Sequence, residues 1–259
     1  MDLGIAGRRA LVCASSKGLG RGCAEALAAE GVEVVLNARA PEALAETAAS
    51  IRATYGVSVQ EIAADITTEE GRASVLAAAG TVDILVTNAG GPPPGNWRDW
   101  QRADFIAALD ANALTPIALM TALVPGMCER GWGRVINITS VSVKSPIAIL
   151  GLSNTARTAL TGYVAGVARD VASQGVIINN LLPGLHATDR TISLDGMEAD
   201  INNETVDAVR KRRMQSIPAS RYGTAAEFGA TCAFLCSEHT GFMIGQNILL
   251  DGGSFVSTL

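Results

Sequence analysis

A glycine-rich turn near the N-terminus offers the clearest chemistry in the 259-residue sequence. Residues 14–20 read ASSKGLG and lie between an apolar β-branched run and an alanine-rich helical stretch. Gly18 would let the backbone approach a phosphate closely, and Gly20 would permit close packing of the helix on the strand. The unpaired N–H groups at a helix start also attract negative charge. The spacing therefore predicts a pyrophosphate cradle.

The elements that must position this turn alternate regularly between strand and helix. Strands are predicted at residues 10–13, 32–37, 57–63, 82–87, 134–139, 176–181 and 247–250. Helices are predicted at residues 19–30, 41–54, 67–79 and 152–173, and in a long stretch that ends near residue 130, with Thr67 capping the third. This alternation predicts an α/β Rossmann fold with a doubly wound, parallel, seven-stranded sheet flanked by helices, as a single domain over residues 1–259.

The polar segment 186–218 follows the sixth predicted strand and is the least strand-like part of the chain. Ligands of open α/β sheets bind beyond the carboxyl ends of the strands. We therefore expect this segment to be helical in part and to close over a ligand as a lid. The alternative is a surface excursion without a role in binding.

Composition and charge narrow the possible partners. The net charge of −5 argues against a nucleic-acid surface, and we interpret the basic cluster Lys211-Arg212-Arg213 as the solvated face of a helix. Five cysteines without a C-x-x-C pair and only two histidines make a structural zinc site unexpected. The N-terminus has no signal-like pattern and we find no run of 18 apolar residues. We expect a soluble, cytoplasmic protein without a membrane partner.

Several further motifs, in order along the chain, resemble those of the short-chain dehydrogenase/reductase family. The glycine-rich turn is similar to the family's T-G-x-x-x-G-x-G pattern, with Cys13 and Ala14 in place of the leading Thr-Gly. The resemblance covers essentially the whole chain. It implies that the dinucleotide contacts Ala14, Ser15, Ser16, Lys17, Gly18, Leu19, Gly20, Asp65, Ile66, Asn88, Ala89, Gly90, Pro183, Gly184 and Thr188. The C-terminal runs Gly245-Gln246-Asn247 and Asp251-Gly252-Gly253 also resemble the family pattern.

The charges near the turn bear on which dinucleotide binds. Enzymes that use NAD usually carry an acid at the end of the second strand, where this sequence has Ala38. Arg39 follows it, and Lys17 precedes Gly18. Two cations without an acid suit a 2′-phosphate, because each can form a charge-assisted hydrogen bond with it. We therefore predict NADP(H) rather than NAD(H), unless both cations are merely surface charges.

The family resemblance also implies a catalytic set, which this sequence retains only in part. Asn112 matches the asparagine that holds a relay water, and Ser140 matches the serine that orients a carbonyl. Ser153 and Arg157 stand where the family has tyrosine and lysine, as in a divergent branch that resembles 3-oxoacyl-[acyl-carrier-protein] reductases. A serine hydroxyl is a much weaker acid than a phenol, and an arginine stays charged.

Other residues are candidates for the missing acid. Lys144 follows Ser140 in the loop at the carboxyl edge, where partial desolvation would bring its pKa toward neutrality, or it is a solvated loop lysine. His186 has a suitable pKa but is more typical of a lining residue. Ser142, Trp97 and Trp100 line the pocket or face solvent. A packing role is expected for Tyr163.

Three functions are compatible with these residues. The first is an NADP(H)-linked oxidoreductase acting on a carbonyl or hydroxyl group of a small or acyl-thioester substrate. The second is non-redox lyase, aldol or hydrolytic chemistry in a cationic pocket of Ser140, Lys144 and Arg157. The third is a dinucleotide-binding module without catalysis. The family resemblance also implies a homotetramer that pairs its central helices.

Overall fold

The strands form one parallel sheet in the order β3-β2-β1-β4-β5-β6-β7 in the computed structural model, which describes residues 1–257. The strands are β1 (Arg9–Cys13), β2 (Glu33–Ala38), β3 (Val59–Ala63), β4 (Ile84–Thr87), β5 (Gly133–Ile138), β6 (Val176–Pro183) and β7 (Asn247–Leu250). The predicted doubly wound, seven-stranded sheet is confirmed. The strand order reverses between the neighbouring strands β1 and β4: β2 and β3 lie beyond β1 on one side, and β5, β6 and β7 lie beyond β4 on the other.

Helices cover both faces of this sheet. They are α1 (Gly18–Ala29), α2 (Pro41–Tyr55), α3 (Glu69–Ala79), α4 (Arg102–Leu109), α5 (Thr115–Glu129), α6 (Gly151–Ala172), α7 (Asp189–Asn202), α8 (Val206–Gln215) and α9 (Ala225–Leu235). A π turn at Asp110–Leu114 joins α4 to α5. The long helix predicted to end near residue 130 is therefore not uniform, because it widens at the π turn.

Each face of the sheet has its own hydrophobic core. On one face Leu27 of α1 and Phe228 of α9 pack against β1 and β2, and on the other Met127 and Leu160 pack against β4 and β5. The central strands are buried on both faces, which explains their nearly continuous apolar sequences. Helices α1 and α9 cross closely, since a Cβ at Gly22 would lie 2.3 Å from the carbonyl oxygen of Ala225.

The cap of α3 differs from the expectation. Thr68, not Thr67, caps this helix, because the Thr68 hydroxyl accepts a hydrogen bond of 3.0 Å from the backbone N–H of Gly71. The Thr67 hydroxyl instead donates to the carboxylate of Asp65 at 2.7 Å. The backbone N–H of Thr67 also donates to this carboxylate, at 3.0 Å, so Asp65 holds Thr67 outside the helix.

Residues 186–218 form α7 and α8, which salt bridges hold together. The carboxylate of Asp195 is fully buried and accepts hydrogen bonds from Arg213 at 2.7 Å and from the Tyr222 hydroxyl at 3.1 Å. Arg212 pairs with Glu198 at 2.6 Å. The interpretation of Lys211-Arg212-Arg213 as a solvated face holds for Lys211 and Arg212, which are exposed, and is wrong for Arg213, because its guanidinium packs against the acids of α7.

The segment Arg102–Glu129 is long and apolar enough to cross a membrane by length and composition alone, with a mean hydropathy of 1.5. A helix in the core of a globular protein has the same properties. Here the segment packs against α6 and β5, and Leu119, Met120 and Met127 are buried by other parts of the chain. The expectation that no part of the protein enters a membrane stays a prediction.

We expect the substitution Asp195→Asn to destabilise the segment formed by α7 and α8. The substitution removes the buried negative charge that Arg213 and the Tyr222 hydroxyl contact. Arg213 keeps its ion pair with Glu198, so we expect the free energy of unfolding to fall by about 2 kcal/mol. Urea unfolding of the variant would measure the loss. Asp207→Asn is the matched control, since the Asp207 side chain is 93% exposed and pairs with Arg210 at 3.8 Å. Equal stability of the two variants would contradict this account of Asp195.

Candidate active site

A cleft of about 410 Å³ opens where β1, β4, β5 and β6 end. The reversal of strand order between β1 and β4 leaves a crevice at this edge, which is the usual ligand site of such sheets. The predicted residues that line the cleft are Ala14, Lys17, Gly18, Leu19, Asn88, Ala89, Gly90, Ser140, Ser153, Arg157, Pro183, Gly184, His186 and Thr188. Residues far apart in the sequence therefore meet at one opening.

The turn between β1 and α1 presents backbone groups to this cleft. Helix α1 begins at Gly18, and no side chain caps it. Its first N–H groups and the positive end of its dipole are therefore available to an anion. Gly18 has φ +58° and Ala14 has φ +48°, so both adopt the left-handed backbone conformation that favours glycine. Alanine at position 14 consequently carries strain that the family's glycine avoids.

Other predicted contacts shape the turn from beneath. Ser15 is fully buried, and its hydroxyl donates to a main-chain carbonyl of β2 at 3.3 Å. The carbonyl of Ser16 accepts a hydrogen bond of 2.9 Å from a threonine of α2. A Cβ at Gly20 would lie 2.3 Å from the carbonyl oxygen of Ala14. Ile66 is buried in the core below. These residues support the turn and do not line the cleft.

The two cations predicted to bind a 2′-phosphate have different acidic partners in the structure. The ammonium of Lys17 pairs with the carboxylate of Asp189, the first residue of α7, at 2.8 Å. Arg39 lies at the end of β2 with its guanidinium 4.0 Å from Asp65 and is 80% exposed. Hydrogen bonds from Thr67, more than the charge of Arg39, lower the pKa of the Asp65 carboxyl below its usual value. Arg39 is thus the more accessible cation.

Ser153 and Arg157 form a hydrogen-bonded pair on one wall of the cleft. The Nε–H of Arg157 donates to the Ser153 hydroxyl at 3.3 Å, and its Nη1 donates to the carbonyl of Ile138 at 2.7 Å. Burial, reinforced by the nearby charge of Arg190, lowers the pKa of Arg157 to about 10. The guanidinium therefore directs a positive charge and a fixed donor at Ser153.

Ser140 and Asn112 lie on either side of this pair in the fold. The Ser140 hydroxyl faces the cleft and accepts a hydrogen bond of 3.1 Å from the backbone N–H of Ser142. Asn112 lies in the π turn, where its Nδ2 donates to the carbonyl of Ala108 at 3.3 Å. Its Oδ1 is buried and has no protein donor, so it can accept a hydrogen bond from water.

Lys144 and the aromatic candidates lie outside the cleft lining. Lys144 is exposed, and its ammonium lies 5.8 Å from the ring centre of Phe255. Tyr163 packs on the core, as expected for a packing residue. Trp97 is 69% exposed, whereas Trp100 packs on the ring of Phe105. Ser142 is buried, so its hydroxyl does not face solvent.

His186 is a tightly packed lining residue. Its ring is buried, stacks edge-on against Phe228 at 5.3 Å and closely approaches Gly223. Nδ1 lies 3.2 Å from the carbonyl of Gly184. Burial lowers the pKa of His186, although the hydrogen bond to Gly184 opposes this effect. The neutral ring is therefore the form that the fold accommodates.

Besides Asp189, sequence reasoning missed a second charged residue of the cleft, Arg190. It follows Thr188 and Asp189 at the start of α7, and its Nη2 donates to the carbonyl of Pro92 at 2.7 Å. Its position two residues after Thr188, which the family resemblance assigns to the dinucleotide site, was the available signal. Nothing in the sequence showed that this part of α7 faces the loop after β4.

Comparison with known proteins decides the family. A family model described as enoyl-(acyl carrier protein) reductase matches residues 13–254. Acetoacetyl-CoA reductase from Cupriavidus necator is 31% identical over 252 residues, which cover 95% of this chain and 97% of that protein. The chain belongs to the short-chain dehydrogenase/reductase family. The family that the motifs resemble is thereby confirmed.

Solved structures of other family members have the same fold. L-sorbose reductase from Gluconobacter frateurii, complexed with NADPH and L-sorbose, superposes with a TM-score of 0.94 at 29% identity, covering 99% of this chain and 100% of that one. A 3-oxoacyl-(acyl-carrier-protein) reductase from Agrobacterium tumefaciens C58 with NADP bound gives 0.87 at 30% identity, covering 97% and 96%. These family members are oxidoreductases, the enzyme class that the sequence predicts.

The buried ring of His186 predicts a loss of stability in mild acid. Its pKa is lower in the fold than the ordinary 6.5, so the unfolded chain binds more protons once the pH falls below about 6.5. The stability due to the neutral ring is present above that pH and is lost as the pH falls toward the folded pKa. Urea unfolding between about pH 7.5 and pH 5 should show a smaller acid-dependent loss for His186→Gln.

His239→Gln is the control for this prediction, since its ring is exposed. The acid-dependent loss should persist in that variant. An unchanged pH profile in His186→Gln would show that other groups cause the loss.

Proposed function

We propose that this protein is an NADP(H)-dependent oxidoreductase that interconverts a carbonyl and a hydroxyl group of a small or acyl-thioester substrate. One observation carries the proposal: the uncapped start of α1 and the hydroxyls of Ser140 and Ser153 face the same cleft. The helix start suits a dinucleotide, and the hydroxyls suit a carbonyl oxygen. The family members named above support both roles.

The cleft fits a dinucleotide in its backbone geometry. Nothing lies within 4 Å of the position that a Cβ at Gly90 would occupy, so the floor after β4 is open. A Cβ at Gly18 would meet Thr188 at 3.6 Å, which brings the start of α7 over the start of α1. The N–H groups after Gly18 would hold the pyrophosphate, and Thr188 and Arg157 would lie beside the nicotinamide half.

NADP(H), the dinucleotide that carries a 2′-phosphate, suits this chain better than NAD(H). The end of β2 carries Ala38 and Arg39, with no carboxylate to accept hydrogen bonds from ribose hydroxyls. Arg39 is exposed and held only loosely by Asp65, so it can turn to a 2′-phosphate. Lys17 is engaged by Asp189 and contributes less.

The side chains of the cleft would orient the substrate and stabilise charge on its oxygen. A bound reduced nicotinamide supplies a hydride equivalent to a carbonyl carbon. Because Arg157 donates to the oxygen of Ser153, the hydroxyl hydrogen of Ser153 is left to donate toward the cleft. Ser140 supplies a second hydroxyl at the same opening. The positive charge of Arg157 stabilises negative charge that develops on the substrate oxygen.

Water is the proton source that best fits this arrangement. Serine is too weak an acid to replace a phenol, Lys144 lies outside the cleft lining, and His186 is buried in its neutral form. The buried Oδ1 of Asn112 offers an acceptor for a water molecule, the role that the family resemblance implies. Ser140, Ser153 and Arg157 would then place the oxygen, and solvent would protonate it.

The surroundings of the site complete the proposal. Residues 186–218 would act as the lid, because α7 begins at Thr188 and Asp189, which lie at the cleft. The protein would be cytoplasmic and would have neither a nucleic-acid nor a membrane partner. It would assemble as a homotetramer through its central helices.

The substitution Arg39→Ala should weaken NADPH binding about tenfold or more and leave NADH binding unchanged, because only NADPH offers a phosphate to this guanidinium. Fluorescence titration of both reduced dinucleotides would give the dissociation constants. Arg98→Ala, at an exposed arginine of another loop, is the control. Equal affinities of the unaltered protein for NADH and NADPH would refute the 2′-phosphate assignment.

The reaction itself is tested by mixing the NADPH-loaded protein with a panel of ketones and 3-oxoacyl thioesters and following loss of the reduced nicotinamide absorbance. We expect Ser140→Ala to lower kcat/KM about 10²-fold while NADPH affinity stays constant, since Ser140 would contact the substrate oxygen and not the dinucleotide. Ser145→Ala, at an exposed serine of the same loop, should retain full activity. Tight NADPH binding without oxidation by any compound would count against an oxidoreductase.

A further inference from the structure

Two arginines of the cleft lack an acidic partner. Arg157 is only 8% exposed and donates to a hydroxyl and a carbonyl oxygen. Arg190 donates to the carbonyl oxygen of Pro92. Within residues 1–257, every aspartate or glutamate that forms an ion pair does so with another cation. The cleft therefore holds two positive charges that the protein itself does not neutralise.

Burial makes this arrangement costly for Arg157. A charged group removed from water without a counter-ion loses hydration that hydrogen bonds to neutral acceptors recover only in part. A ligand with negative charge would lower that cost when it binds. The missing counter-ion of Arg157 is therefore a property of the binding site, whereas Arg190 is exposed at the cleft and can meet a ligand that enters it.

Arg190 points to a particular side of the cleft. Its neighbour Asp189 turns toward the start of α1 and pairs with Lys17. Arg190 turns instead toward the loop after β4, where its guanidinium contacts Pro92 and lies 3.6 Å from the position that a Cβ at Gly91 would occupy. Its charge also acts on Arg157. The two guanidinium groups thus line the same cleft as Ser153, Arg157 in contact with it and Arg190 on the loop after β4.

We infer that the substrate carries a carboxylate a few bonds from its reacting carbonyl, and that Arg190 binds this carboxylate. The inference rests on the proposed function, since it concerns the substrate of that same site. The planar guanidinium matches a carboxylate and forms two parallel hydrogen bonds with it. Arg157 then remains beside Ser153 and the carbonyl oxygen.

A dinucleotide pyrophosphate is the competing anion for Arg190. Its cradle is the start of α1, on the side to which Lys17 and Asp189 belong. The hydrogen bond to Pro92 holds Arg190 on the loop after β4 instead. The geometry therefore favours a substrate anion over the pyrophosphate.

The neighbouring walls add apolar surface for the carbon chain of such a substrate. Ile147 and Leu150 precede α6, and Leu194 projects from α7 into the same cleft. These side chains offer apolar surface beside the two guanidinium groups. A short oxo or hydroxy acid satisfies both surfaces, because its carboxylate meets Arg190 and its carbon chain meets the apolar wall.

The test separates the carboxylate from the dinucleotide. Calorimetry would measure binding of butanoate, an unreactive carboxylate, and of NADP⁺, each to the protein alone and in the presence of the other. Kinetics with NADPH would compare 3-oxobutanoate with its methyl ester, which keeps the ketone and replaces the negative charge by one methyl group. The variants are Arg190→Gln, which removes the charge, and Arg190→Lys, which keeps it. Arg169→Gln, at an exposed arginine on α6, is the control.

For Arg190→Gln we expect butanoate affinity and kcat/KM for the oxo acid to fall about tenfold, with ester kinetics and NADP⁺ affinity unchanged. Arg190→Lys should recover part of both losses. Weaker NADP⁺ binding with an unchanged acid-to-ester ratio would place Arg190 on the pyrophosphate and overturn the inference. So would absence of butanoate binding to the unaltered protein. Failure to bind NADP⁺ would refute only the proposed function, because butanoate binding to the protein alone still decides the role of Arg190.

Discussion

The parallel sheet imposes the constraint on which the rest of the molecule depends. Its central strands are buried on both faces, so each connection has to return across the sheet before the next strand can begin. Every strand therefore ends at the same edge. Ala14, Asn88, Ser140 and Gly184 follow four different strands, and this constraint alone brings them to one cleft. The burial of apolar residues on both faces of the sheet determines this topology, and the topology determines which residues meet in the site.

The same constraint explains how much of the fold could be predicted from the sequence. Strand β7 was predicted to the residue, and the sheet follows from runs of apolar residues whose pattern is local. The π turn at Asp110–Leu114 was not predicted. Its hydrogen bonds span one residue more than those of an α-helix, and this change does not alter the spacing of apolar residues in the sequence. It nevertheless places Asn112 where its side-chain oxygen is buried without a donor.

Side-chain partners were harder to predict than backbone elements. Lys17 and Arg39 suggested a shared phosphate site, yet Asp189, distant in sequence, engages Lys17. The sequence suggested a solvated charge at Arg213, yet Asp195 of α7 binds its guanidinium in the interior. Arg190 went unnoticed for the same reason. In each case the deciding group lies on another element, so only the tertiary structure reveals the pairing.

The replacement of a phenol and an ammonium by Ser153 and Arg157 changes what the site can do. A tyrosine beside a lysine can release a proton, whereas a serine beside a buried guanidinium offers a directed hydrogen bond and a positive charge. Catalysis would then rest on stabilising an oxyanion, with water as the acid. A carboxylate close to that oxyanion would repel it, and a second guanidinium offsets this repulsion. Arg190 lies where it can do so, which makes an acidic substrate compatible with the unusual pair.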